Sequence, residues 1–227
     1  GGGPNNRADG FAFSLFKAGF VVINIDPLND PMHRVGLHVV NVALERVARS
    51  GLVVTFSNQQ PCGPLSVLRL KQVSGEDDKW PAVVDRYNVD GKPEAWAHPT
   101  QGPMLKEVWD ILEQVVSLIR IIYPLGGNCW IEHPPNWGWF RLDAYTHSSL
   151  FDTTLLSGLT GEIGAVMYIC DQCAFGIDAA KRTVFWVDPR FAVFFTRFDG
   201  GRCTHVGRHR TIGATAQDPA QSARYSS

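Results

Sequence analysis

Three side chains in this chain stand where reactive groups are commonly displayed. Cys62 lies in Pro61-Cys62-Gly63-Pro64-Leu65-Ser66. A thiol on a stiff, proline-bracketed turn is held in place yet stays accessible, which suits a nucleophile once it is deprotonated. A half-buried structural cysteine is the plainer reading of the same residue. Glu132 lies in Trp130-Ile131-Glu132-His133-Pro134-Pro135. A carboxyl on an apolar strand is expected to have a raised pKa and to share or donate a proton to a ring nitrogen. Trp137, Trp139 and Phe140 follow at once; they offer faces on which a base stacks, or they cover the sheet edge. Asp26 closes the apolar run 20–25. There a carboxylate can accept hydrogen bonds from two vicinal ribose hydroxyls, a pattern that any surface Asp at a strand end also satisfies.

A second group is rich in sulfur and imidazole. Cys170-Asp171-Gln172-Cys173 is followed by Cys203-Thr204-His205-Val206-Gly207-Arg208-His209. Together these supply more than the four nitrogen or sulfur ligands of tetrahedral zinc, and Cys173, Cys203, His205 and His209 are the candidate set. Cys170 fits a core role. The competing reading is of buried thiols, with His205 and His209 on a basic face.

Such residues need a frame that gathers them. Residues 10–17 read as a short helix stopped by Gly19, and 20–25 as a buried strand. Residues 35–49 read as a helix with Leu37, Val40, Leu44 and Val47 on one face, and 52–56 as the next strand. Residues 71–103 sustain no period and read as a long insertion. Helical periodicity returns over 103–123, a strand over 129–132, a helix over 149–159, and strands over 164–169 and 183–187. This alternation predicts one α/β domain over 1–227 with a mainly parallel sheet. In such sheets ligands sit beyond the carboxyl ends of the strands, where Asp26, Pro61-Cys62 and Glu132 all fall.

Composition narrows the class. The 227 residues are 44% hydrophobic and 19% charged, enough apolar material to close a core. No stretch gives the ~18 consecutive apolar residues of a membrane span, and Gly1-Gly2-Gly3-Pro4 does not read as a secretory signal. Five cysteines at irregular spacing suit reduced thiols in a cytoplasmic or nuclear protein rather than a disulfide framework. Residues 1–180 carry a net charge of −6 and residues 181–227 one of +5. A basic C-terminal segment on an acidic body fits a face presented to a polyanion, and equally a solvated tail.

Taken in order, Gly10…Ala18-Gly19-Phe20…Asp26, Pro61-Cys62-x-x-x-Ser66 and Ile131-Glu132-His133-Pro134 resemble the motif series of cytosine 5-methyltransferases. Phe175-Gly176-Ile177-Asp178-Ala179-Ala180-Lys181-Arg182-Thr183 is similar to that family's Tyr-Gly-x-Pro-Gln-x-Arg-x-Arg segment. More loosely, the chain resembles methyltransferase-like domains of protists and mobile elements that combine Pro-Cys-x-x-x-Ser with a late Cys/His cluster. The resemblance spans about residues 9–210.

It implies a Rossmann-like methyltransferase sandwich; no strand is read ahead of Gly10, so either the first strand and Gly-rich loop are truncated or the nucleotide pocket is built without that strand. Gly10, Asp26 and Pro61 would bind S-adenosylmethionine. Cys62 would add to C6 of a flipped-out cytosine, Glu132 would bind N3 and the exocyclic amine, and Lys181 or Arg182 would help hold the base or a phosphate. The partner would be nucleic acid, DNA above all, with zinc as a second candidate cofactor. His133 stands where the family has Asn, and Ala179 and Thr183 stand where Gln and an Arg are expected. Only 40 residues follow Val187, so target recognition would fall to a partner or a further domain. The rival expectations are a silent, zinc-stabilised nucleic-acid-binding module, and a methyltransferase acting on RNA or a small molecule.

Overall fold

The computed structural model describes residues 15–19, 21, 37–59, 90, 101–136, 148–175 and 181–204. Its elements are α1 (Leu37–Arg49), β1 (Thr55–Gln59), α2 (Gln101–Ile122), β2 (Asn128–His133), α3 (Thr154–Ile163), β3 (Val166–Asp171) and β4 (Arg182–Val187). Residues 15–17 are helical and Gly19 turns the chain at φ +88°, as expected of that stretch. The expected strand 20–25 and the insertion 71–103 fall largely outside the described residues, as do Gly10, Asp26, Pro61, Cys62, His205 and His209.

Helices and strands combine into an α/β unit with a four-stranded mixed sheet in the order β1-β2-β4-β3. The expectation of a mainly parallel sheet does not hold for these strands. β1 and β2 are parallel, whereas β2–β4 and β3–β4 are antiparallel. The physical reason is the length of the connections. Between β1 and β2 runs α2, long enough for a parallel crossover. Between β3 and β4 run only residues 172–181, too few for a crossover, so the chain doubles back and β4 slots between β2 and β3.

The two faces of the sheet are covered differently. On one, Cys129, Ile131, Val184 and Trp186 pack with Val108, Leu112, Val115 and Ile119 of α2, Leu156 and Leu159 of α3, and Leu150 and Phe151. This is the main core, where Trp186 is fully buried and its indole N–H donates to Thr160 Oγ1 at 2.7 Å. On the other face Trp130, Tyr168, Phe185 and Val187 meet Phe191, Phe195 and Phe198, which two 3-10 turns, Ala192–Phe194 and Thr196–Phe198, bring over the strands. The strand alternation decides who faces where: Trp130 and Glu132 share the aromatic face, Ile131 and His133 the helical one.

Ends and turns fix the elements in register. After α2, Gly126 adopts φ +86°, and Gly127 passes so close to Ile122 and Val54 O that an added Cβ would lie 3.0–3.1 Å from them. Thr153 caps α3 by accepting the Leu156 N–H, and Gly164 at φ +70° ends it. Asp188, fully buried, accepts the Cys129 N–H at 2.5 Å and the Arg190 N–H at 2.9 Å, tying the start of β2 to the end of β4.

Two sequence expectations shift here. The apolar run 52–56 is not all strand: Leu52 is 64% and Val53 74% exposed, and the ladder begins at Thr55. In α1 the packed pair is Leu44 and Ala48, four apart, against Val54, Leu118 and Ile122, while Val47 stays 37% exposed. Leu37 and Val40 fall in the helix.

Ile131 is completely buried at the centre of the main core. Ile131→Ala should therefore cost about 2–5 kcal/mol in urea unfolding, whereas Val193→Ala, at an exposed site, should stay within about 0.5 kcal/mol. Equal effects would contradict this packing.

Candidate functional site

At the carboxyl end of β2 the aromatic face turns polar. Glu132 is 5% exposed, buried beside Thr183 of β4 and Gln172 of the 3-10 turn Gln172–Phe175 that follows β3. Thr183 Oγ1 donates to Glu132 Oε1 at 2.5 Å and Gln172 Nε2 donates to the same oxygen at 3.3 Å. Gln172 Nε2 also donates to Thr183 Oγ1 at 3.0 Å, closing a triangle. Lys181 Nζ completes the set, 3.1 Å from Glu132 Oε1. All these contacts converge on one carboxylate oxygen, and no described residue donates to Oε2.

The backbone explains why these residues meet. In the antiparallel β2–β4 register Glu132 lies opposite Phe185, so Thr183, two residues away on β4, shares its face and reaches it diagonally. Gln172 N–H donates to Lys181 O at 2.8 Å, which draws the two ends of the β3–β4 connection together and carries both side chains to Glu132.

The electrostatics correct the expected raised pKa of Glu132. Burial does push its carboxyl upward, but the charge of Lys181 and the Thr183 and Lys181 hydrogen bonds outweigh that, with His133 adding a little, and the carboxyl titrates below its ordinary range. Glu132 is thus a resident anion, suited to accept hydrogen bonds and to balance positive charge rather than to donate a proton.

His133 does not belong to this cluster. Alternation sends it to the helical face, where it is fully buried, its Nδ1 lies 3.0 Å from Pro134 O and its ring meets Phe151 edge-on. Arg182 also points elsewhere. Its Nε and a terminal nitrogen grip Asp171 Oδ1 and Oδ2 at 2.7 and 3.0 Å, a bidentate pair between register partners on β3 and β4. Among the residues singled out from sequence, the structure therefore unites Glu132 with Lys181 and leaves Arg182 on a neighbouring carboxylate.

Gln172 and Thr183 were missed. Thr183 stood out only as a departure from a motif, and Gln172 only as a spacer between two cysteines. The antiparallel β2–β4 pairing is the signal that would have found Thr183, and it is not a local property of the sequence.

Of the candidate zinc ligands, Cys173 and Cys203 lie near enough to influence each other electrostatically. Asp171 Oδ2 accepts the Cys203 N–H at 3.0 Å. Cys170 is buried, as its expected core role requires. Among the described residues no group of three or more His, Cys, Asp or Glu is arranged to hold a metal ion, so the zinc reading rests on His205 and His209.

The basic C-terminal segment spends part of its charge internally. Lys181 and Arg182 face carboxylates, and Arg190 bonds Tyr123 O and Gly127 O while its guanidinium stacks 3.8 Å over the Tyr123 ring. Arg197 and Arg202 remain exposed. No helix among the described residues is long and apolar enough to cross a membrane.

No protein-family model, curated protein or solved structure matches this chain.

Because the folded-state pKa of Glu132 lies below the ordinary glutamate value of 4.5, its stabilising contribution is complete above that value and drains as pH falls through the folded one. Urea unfolding of wild type and Glu132→Gln between about pH 7 and pH 3 should show a gap that narrows as acid is added. A gap that widens toward low pH would contradict the assignment. Lys181→Met should destabilise by up to about 3 kcal/mol at neutral pH, below the full cost of breaking a buried pair because the Lys181 side chain keeps 22% exposure. Pairing it with Glu132→Gln should recover much of the loss.

Proposed function

We propose that this chain is a nucleic-acid methyltransferase of the cytosine 5 type, using S-adenosylmethionine, with Cys62 as nucleophile and Glu132 as the group that binds the base. The observation that carries this reading is Glu132 itself: a buried, ionised carboxylate at the carboxyl end of a strand, held through Oε1 by Thr183, Gln172 and Lys181, with no donor to Oε2 among the described residues. That geometry suits an exocyclic amine as donor to Oε2.

Topology supports the pairing of Glu132 with Cys62. β1 runs parallel to β2 with Gln59 in register with Glu132, so both strands end at one edge. Cys62 comes three residues after Gln59, a stretch that reaches about 11 Å at most. The parallel β1–α2–β2 unit and the α/β layering fit the methyltransferase sandwich, in which binding residues gather beyond strand ends.

In this scheme the Cys62 sulfur bonds to C6 of the base, and the electron pair of the C5–C6 double bond becomes available at C5. Bound S-adenosylmethionine supplies the methyl group, with Gly10, Asp26 and Pro61 as the residues that would hold it. A solvent water then takes the C5 proton, the C5–C6 double bond re-forms and the C6–S bond breaks to release the Cys62 thiolate. Glu132 accepts a hydrogen bond from the amine and balances positive charge at a protonated N3, which makes the addition easier. Lys181 keeps Glu132 ionised between turnovers, and the exposed Arg197 and Arg202 offer charge to the phosphate backbone. The target base must leave the duplex to reach a thiol at a strand end, or be single-stranded already.

The electrostatic proximity of Cys173 to Cys203, whose N–H bonds Asp171 at the end of β3, favours a second reading, a zinc-stabilised nucleic-acid-binding module without catalysis. There Cys173, Cys203, His205 and His209 would be the ligands, and chelation would lower the melting temperature.

Incubation with an oligonucleotide containing 5-fluorocytosine and S-adenosylmethionine should yield a covalent protein–DNA adduct for wild type and none for Cys62→Ser. S-adenosylmethionine at 100 times its Kd should stabilise either protein by about 2.7 kcal/mol. An RNA adduct in place of a DNA adduct would move the acceptor to RNA. Absence of any adduct together with no thermal shift would overturn the enzymatic reading.

A further inference from the structure

β3 stands at one edge of the sheet and pairs on its inner side with β4. The β3–β4 register shows which of its main-chain groups that pairing uses. Gln172 N–H donates to Lys181 O at 2.8 Å, which makes this facing couple a hydrogen-bonded one. Antiparallel couples alternate, so Cys170, Tyr168 and Val166 bond to β4, while Asp171, Ile169 and Met167 turn their N–H and C=O groups outward. The Asp171 N–H bears out this phase, because it donates at 2.8 Å to Gly201 O, outside the ladder. For the outward N–H groups of Met167 and Ile169 there is no main-chain acceptor among the described residues.

An open edge is ordinarily guarded by charge, proline or a bulge. Residues 164–170 contain no charged side chain and no proline, and Val166 is 38% exposed. The nearest charges on either side are already paired within the chain, Glu162 with Arg120 and Asp171 with Arg182. A strand this short and neutral offers a charged peptide no counter-charge. A second β3 matches it in length, polarity and hydrogen-bonding phase.

We propose that β3 pairs antiparallel with β3 of a second copy of this chain, joining two four-stranded sheets into one continuous sheet. The chain at Gly201 fixes the register. It fills the place beside Asp171, so the incoming strand must end before that residue. A two-fold axis through Met167 meets this condition. Met167 N–H and C=O then exchange two hydrogen bonds with Met167 of the second copy, and Ile169 N–H reaches Ala165 O in both directions. The incoming chain leaves the sheet at Gly164, whose φ of +70° ends α3, one position short of Gly201. Val166 falls opposite Tyr168 on the aromatic face, and its exposed side chain is covered. The axis stands perpendicular to the sheet, so the Glu132 clusters of both copies lie on the same side of the dimer.

This inference stands apart from the methyltransferase reading, since it needs neither Cys62 nor a bound cofactor.

The test is sedimentation equilibrium of the full chain over about 1–100 µM, where a monomer–dimer equilibrium is expected, with the dimer predominant at the upper end. Val166→Lys places a charge at an exposed edge position, and Met167→Pro removes an outward N–H but no bond to β4. Both should keep the wild-type circular dichroism and weaken the dimer at least about tenfold. Amide hydrogen exchange reads the edge directly. Tyr168 and Cys170 should be protected at every concentration, and Met167 and Ile169 only where the dimer prevails. A monomer throughout that range would overturn the proposal. So would a dimer that Val166→Lys leaves intact with the Met167 and Ile169 amides still exchanging freely, because it would use another face, such as the one bearing the exposed Val193 and Phe194.

Discussion

A carboxylate buried within a sheet must be neutralised or must lose its charge, and in this chain Lys181 decides the matter for Glu132. The 3.1 Å approach of its ammonium, with hydroxyl and amide donors on the same oxygen, turns a position where burial alone favours the acid form into one that keeps the anion. The rest of the site follows from that requirement. Lys181 must sit at the mouth of β4, β4 must lie beside β2, and the turn after β3 must fold back to deliver Gln172. Each is visible as a backbone feature: the inserted antiparallel strand, the β2–β4 register and the Gln172 N–H bond to Lys181 O.

The two faces of the sheet divide the labour. Helices α2 and α3 cover one face with aliphatic side chains and provide most of the core. Aromatic rings from the segment after β4 cover the other, and only at its upper end does that face become polar. A polar cluster on a sheet otherwise sealed by Trp130, Phe185 and Phe195 is shielded from bulk water, which strengthens every charge interaction within it. Glu132 and Trp130, two residues apart on β2, mark the boundary.

Much of this was legible in the sequence, for reasons that can be named. The helix expected over 103–123 and the strand over 129–132 appear at Gln101–Ile122 and Asn128–His133, because long apolar periodicity and Gly126-Gly127 punctuation are local signals. Glu132 stood out because a lone carboxylate amid Trp130 and Ile131 breaks the pattern of its strand. Its ionisation was misjudged because the cation that reverses it arrives 49 residues later in the chain. Thr183 was invisible as a partner for the same reason. A period-two pattern says which residues share a face, but not which strand lies alongside or in which direction. The parallel sheet was over-generalised from strand–helix alternation, when the ten-residue β3–β4 connection was the feature that forced a reversal.

The most direct test of the account is a carbon-13 NMR titration of the Glu132 carboxyl in the intact protein, repeated in Lys181→Met. The account predicts a wild-type pKa below 4.5 and a value that rises well above it once the lysine charge is gone. A wild-type carboxyl that titrates above the ordinary range, or one indifferent to the loss of Lys181, would contradict it.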